Sequence, residues 1–209
     1  MVPSIGLVDT GVNAWHSHVR GHVDGCAMFV AEDGSLREGD DWRDACGHGT
    51  AVAGVLREGL PHARLYAVRV FDASLATYPS LVARGILRAA SAGCEYINLS
   101  LAVPPGPGTE ALAGACAAAL RAGCTIVAAE APGRDDWLPA RLPGVHRVRA
   151  DDTLDPGEVR VRGPRRLAAS GRPRDLERLA HANFAGASFA CARALVHLAR
   201  QHARISRTR

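Results

Sequence analysis

From residue 4 to residue 130 the chain alternates short apolar runs with longer segments whose apolar residues recur at helical spacing, and this alternation most constrains its fold. The runs SIGLVD (4–9), ARLYAVRVF (63–71), CEYINLSLA (94–102) and CTIVAAE (124–130) read as buried strands. Between them, HGTAVAGVLREG (48–59), SLVARGILRAASAG (80–93) and GTEALAGACAAALRAG (108–123) read as helices, each with a glycine at its end. A helix between two strands returns the chain in the same direction. The sheet is therefore expected to be mostly parallel, with helices on both faces, in a three-layer α/β fold. In such sheets ligands bind beyond the carboxyl ends of the strands, so the residues that end strands are the functional candidates.

Composition narrows the function classes. The 209 residues are 47% hydrophobic and 22% charged, which suits a single domain over 1–209 with a sizeable core. The net charge of +4 is carried by arginine alone, spread along the chain, and aromatic residues make up only 5%. Neither a basic stripe nor a stacking platform is present, so no nucleic-acid partner is expected. The start MVPSIGLVDTGV has no basic n-region or cleavage site, and no run reaches the roughly 18 apolar residues of a membrane span. A cytoplasmic protein without a membrane partner is the expectation. Six cysteines, Cys26, Cys46, Cys94, Cys116, Cys124 and Cys191, lack CxxC spacing and read as buried free thiols. Residues 31–47 read as a charged loop, 103–108 as a turn-rich break, 132–175 as Pro/Gly/Arg-rich with a few short strands, and 203–209 as a flexible tail.

Three residues invite chemistry. Asp9 ends the first strand before Thr10 and Gly11, which by itself is also the pattern of an Asx turn. His48 lies between Gly47 and Gly49 at a helix start, where no neighbouring side chain shields the imidazole. Ser188, in FAGASFACARALVHLAR (184–200), opens the last helix, where unpaired N–H groups favour negative charge; a plain N-cap is the alternative.

Taken together, GLVDTGV (6–12), GHGTAVAGVL (47–56) and GASFACARA (186–194) resemble, in chain order, the three catalytic motifs of the subtilisin-like serine peptidases. The resemblance implies that Ser188 is the nucleophile, His48 the general base and then acid, and Asp9 the group that orients the imidazole. It also implies that Ser100, Leu101 and Ala102 offer main-chain groups to an extended peptide, and that Glu130 lies near the first specificity pocket, where it would favour a basic side chain. No cofactor and no metal are implied. The partners implied are a peptide or protein substrate, with a modified precursor subunit and its modifying enzymes as the selective case, and slow leader-peptide removal as the reaction.

The chain departs from the family pattern in two places. Where the family places its oxyanion-hole asparagine, AAEAPGR puts Pro132, which donates nothing, and Ala187 replaces the threonine before the nucleophile. The backbone N–H of Ser188 then remains as an oxyanion donor, with Arg134 as a substitute side chain. Only eight residues precede Asp9, so no propeptide is expected within 1–209. His16, His18 and His22 read as structural, and Asp40, Asp41 and Asp44 as solvated loop charge in preference to a calcium site. The rival reading from a different class is a catalytically impaired subtilase fold kept as a peptide-binding or assembly module.

Overall fold

A computed structural model describes residues 2–71, 76–174 and 185–207. Its centre is one nine-stranded sheet built from β1 (Ser4–Asp9), β2 (Val23–Val30), β3 (Leu36–Gly39), β4 (Arg64–Arg69), β5 (Tyr96–Leu99), β6 (Thr125–Ala129), β7 (His146–Ala150), β8 (Val159–Gly163) and β9 (Arg166–Ala169). The spatial order is β3-β2-β4-β1-β5-β6-β7-β9-β8. The seven inner strands pair in parallel, and only the edge pairs β2–β3 and β8–β9 are antiparallel. Four helices cover it: α1 (His48–Gly59), α2 (Pro79–Ser91), α3 (Thr109–Arg121) and α4 (Ala187–Arg207).

Alternation along the strands sorts the core into two layers. Ile5 and Leu7 of β1 face α1 and α4, packing with Val52, Leu56, Phe189 and Leu195. Val8 points to the other face and joins Val68, Ile86, Leu112 and Cys116 beneath α2 and α3. Both faces are buried, which explains why the inner strands read as continuous apolar runs. The helix at 48–59 begins and ends where its periodicity predicts.

Four segments differ from the sequence expectation. β2, VDGCAMFV, was not foreseen; its first half, Val23–Gly25, is not fully buried and breaks the apolar run with Asp24 and Gly25. The segment 31–47, expected as loop, contains β3, whose LREG sequence carries no strand pattern and is held by pairing with β2. Within 132–175, the strands foreseen in GVHRVRA and GEVRVRG form β7 and β8, and β9 lies between them in the sheet. α4 continues to Arg207 through residues expected to be flexible, although 201–205 are exposed. No helix among the described residues is long and apolar enough to cross a membrane.

Candidate active site

The carboxyl end of β1 and the start of α1 meet at one point. Asp9 is 1% exposed, and its Oδ1 accepts hydrogen bonds from the backbone N–H of Thr10 at 2.7 Å and from Nδ1 of His48 at 2.7 Å. Its Oδ2 is buried and has no hydrogen-bond partner among the described residues. A buried carboxylate so placed favours a cation beside it. Burial opposes charging of His48, but the carboxylate of Asp9, its hydrogen bond and the more distant Asp44 outweigh it, so the imidazole pKa lies above its ordinary 6.5.

Two glycines allow this approach. Gly49 sits where a Cβ would come within 2.2 Å of the Gly11 carbonyl oxygen, so any larger residue would push α1 off the strand end. Gly11 itself has φ of 107°, in the region that favours glycine, and a Cβ there would meet the Trp42 carbonyl at 2.6 Å. The motif glycines are thus packing requirements of the Asp9–His48 contact.

Asp44 holds the junction together. It is 7% exposed, and Oδ1 accepts from Thr10 Oγ1 at 2.9 Å and from the N–H groups of Cys46 and Gly47 at 3.0 and 2.8 Å. Oδ2 accepts from the N–H and the hydroxyl of Thr50 at 2.8 and 2.6 Å. Thr10 Oγ1 in turn accepts from the N–H of Gly49 at 2.9 Å, and the Asn13 side chain brackets the Asp44 backbone. Gly47, the N-cap of α1, offers no capping side chain, so a carboxylate from three residues upstream satisfies the orphan N–H groups and complements the helix dipole. This corrects the reading of Asp44 as solvated loop charge. The acidic run GDDWRDACGHG disguised it; its place just ahead of a helix start was the signal that could have found it. Asp40 and Asp41 are exposed as expected.

Ser188 lies in the first turn of α4, just after Gly186, whose φ is 128°. Its hydroxyl donates to the Ser100 carbonyl at 3.1 Å, while the Ser100 hydroxyl donates to the Ser188 carbonyl at 2.9 Å and accepts from Nδ2 of Asn98 at 2.8 Å. This reciprocal clasp ties the mouth of α4 to the end of β5. Phe189, fully buried, brings its ring centroid to 6.0 Å from that of His48. The structure thus gathers Asp9, His48, Ser188 and Ser100 at the carboxyl ends of β1 and β5.

The remaining predicted residues line the neighbouring rim. Leu101 is buried, Ala102 half-buried, and Val103 forms a two-bond antiparallel bridge with Leu138. Glu130 follows β6, and its carboxylate meets Nε of Arg147 at 3.3 Å. Pro132 is exposed in the turn after β6, and the Arg134 guanidinium lies 5.6 Å above the Trp137 ring. All six cysteines are free; Cys46 differs from the expectation in being partly exposed, beside the site, while the others are buried. Burial pushes the Cys94 thiol up to about 11 and the Cys116 thiol to about 12, which leaves them inert as nucleophiles. Of the three N-terminal histidines, His16 accepts from the His18 backbone N–H through Nδ1, and His22 pairs with Asp24 at 2.8 Å.

A parallel α/β sheet with an acid–imidazole pair at one strand end and a serine at a nearby helix mouth defines a class. Residues 2–138, which include Asp9 and His48, match the subtilase family, peptidase S8, and the chain belongs to it. It is 34% identical over 164 residues to subtilisin DY of Bacillus licheniformis, covering 71% of this chain and 56% of that protein. Thermitase of Thermoactinomyces vulgaris is 36% identical over 107 residues, covering 46% of this chain and 36% of its own. The chain thus spans about half the length, or less, of these curated relatives. Among solved structures, the fold matches a cold adapted subtilisin-like serine proteinase with a TM-score of 0.70 at 21% identity, over 92% of this chain and 72% of that one. It also matches the epidermin leader peptide processing serine protease of Staphylococcus aureus with a TM-score of 0.71 at 19% identity, over 94% and 64% of the two chains.

Proposed function

We propose that the chain is a serine endopeptidase that cleaves a peptide bond through an acyl-enzyme, with Ser188 as nucleophile, His48 as base and acid, and Asp9 as the orienting carboxylate. The observation that carries the reading is the 2.7 Å bond from Nδ1 of His48 to a buried Asp9. That bond fixes the tautomer in which Nε2 carries the lone pair that takes up a proton, and the adjacent carboxylate stabilises the imidazolium that results. The Ser188 hydroxyl leaves the Ser100 carbonyl, passes its proton to Nε2 and attacks the substrate carbonyl. His48 then returns the proton to the leaving amine. Water repeats the cycle on the acyl-enzyme and restores Ser188.

The oxyanion forms at the mouth of a 21-residue helix, where the Ser188 N–H and the dipole favour it. Pro132 supplies no donor from the loop after β6, and the Arg134 guanidinium is the side-chain substitute within that loop. One donor fewer typically costs about 100- to 1,000-fold in turnover. Slow, selective processing fits such a site, and removal of a leader from a modified precursor is the proposed task. The sequence resembles the small maturation protease for the gamma subunit of quinohemoprotein amine dehydrogenase, which favours a precursor subunit, presented with its modifying enzymes, as substrate. Six free cysteines suit a reducing, cytoplasmic setting.

A second reading is favoured by Pro132 and Ala187: a subtilase fold that binds peptides without cutting them. Incubation with a fluorophosphonate separates the two. The peptidase reading predicts a single adduct on Ser188; a folded protein that stays unlabelled after hours of exposure is the binding module.

A further inference from the structure

Beyond the carboxyl ends of β6 and β7 a cavity of about 300 Å³ opens inside the loop from Glu130 to Trp137. Its place relative to Ser188 follows from the sheet. β5 and β6 are neighbours, Ser100 at the end of β5 is bonded to Ser188, and Val103 bridges to Leu138, next to the Trp137 wall. On the proposed peptidase reading, on which this inference rests, a peptide laid along 100–102 with its carbonyl at Ser188 turns the side chain before the cleaved bond toward this cavity.

The charge of the wall decides what enters. Glu130, which by itself suggests a basic guest, is already met by Arg147 at 3.3 Å. Asp135 is 98% exposed and paired with Arg141, so it points to solvent and its charge is answered. Two lining cations remain, Arg134 and Arg149; among the described residues neither has a carboxylate within ion-pair distance, and Arg149 acts only through space on Asp151, whose carboxylate is already paired with Arg160 at 3.3 Å. Arg134 is held over the face of Trp137, a contact that steadies a guanidinium without neutralising it. A guanidinium offers paired N–H donors that match a carboxylate's two oxygens. We infer that the cavity takes an acidic side chain, Asp or Glu, at the residue immediately before the cleaved bond.

Binding tests this without requiring turnover. Acetylated tetrapeptide amides Ala-Ala-Pro-Xaa, with Xaa as Glu, Gln, Lys or Leu, are titrated at low salt into full-length Ser188→Ala, following calorimetric heat and Trp137 fluorescence. The Glu peptide is expected to bind about tenfold more tightly than the Gln and Lys peptides. Arg149→Glu and Arg134→Glu, both at exposed positions, are expected to weaken the Glu peptide and favour the Lys one. Equal binding of Lys or Leu and Glu, or a ranking unchanged in both variants, overturns the inference. Fluorophosphonate labelling of the unaltered chain tests the peptidase reading separately. Labelling without acid preference rejects the cavity's role alone, and acid preference without labelling leaves the cavity an acid-binding site while overturning the peptidase reading and the cleavage position with it.

Discussion

The two walls of the site are built on opposite principles. At the junction of β1 and α1, Asp9, Thr10, Asp44, Thr50 and Gly49 share a closed set of buried hydrogen bonds that fixes His48 from below. At the end of β6, the residues from Pro132 to Asp136 are exposed, and the side-chain pairs Arg141 with Asp135 and Arg134 with Trp137 lie at the rim. On the proposed peptidase reading, the base is preorganised by the protein, whereas the loop assigned to the oxyanion and the first side chain is left for the substrate to complete. Preorganisation matters most where charge must be stabilised without rearrangement. Under that proposal, a site rigid on one wall and open on the other is what selection by fit of the substrate calls for.

Breaking the rigid wall should have the largest effect. Asp9→Asn keeps the shape but allows the wrong tautomer, and the fluorophosphonate labelling rate is expected to fall by about 10⁴-fold. A fall of less than tenfold would mean that Asp9 does not orient the base. Completing the open wall should act in the opposite direction: Pro132→Asn restores an amide donor and should raise the labelling rate by about 100-fold. An unchanged rate would remove the 130–137 loop from the oxyanion site.

Asp44→Asn tests whether the rigid wall depends on its hub. An amide cannot accept from every donor that Asp44 serves, so unfolding free energy should drop by about 2 kcal/mol, read from the denaturant midpoint. The labelling rate should fall with it. A stability equal to the unaltered chain would show that the network is redundant.

The pH dependence sharpens the same contrast. The raised pKa of His48 means the Asp9–His48 pair contributes stability that is fully present below the unfolded histidine value of 6.5 and is lost as pH rises through the higher folded value. Reactivity runs the other way, because the base must be neutral. The labelling rate should therefore climb with pH through a midpoint above 6.5, and Asp9→Asn should move that midpoint down. The smallest change belongs to the open wall: Glu130→Gln releases Arg147 and should tighten binding of an acidic peptide about twofold.

Much of this was legible in the sequence. The strand ending at Asp9 and the helix opening at His48 carry clean periodicity and glycine punctuation, so their positions and their meeting at one sheet edge follow from parallel topology. The motif around Ser188 marked the helix mouth, though the clasp with Ser100 depends on β5 and α4 meeting across 88 residues. Asp44 was hidden because a buried capping carboxylate and a solvated one look alike in an acidic run. The pairing of Glu130 was hidden for the complementary reason: its partner Arg147 lies on the next strand, a neighbour that the β6–β7 pairing reveals. β3 was illegible because its pairing with β2, and not its own residues, makes it a strand.

The most direct test of the central claim, that Asp9, His48 and Ser188 act as one unit on an activated hydroxyl, is intact-mass spectrometry after incubation with a fluorophosphonate. A single adduct on the unaltered chain, absent from both Ser188→Ala and His48→Ala, is the predicted result. An adduct that persists in Ser188→Ala, or none at all on the folded chain after hours, would contradict it.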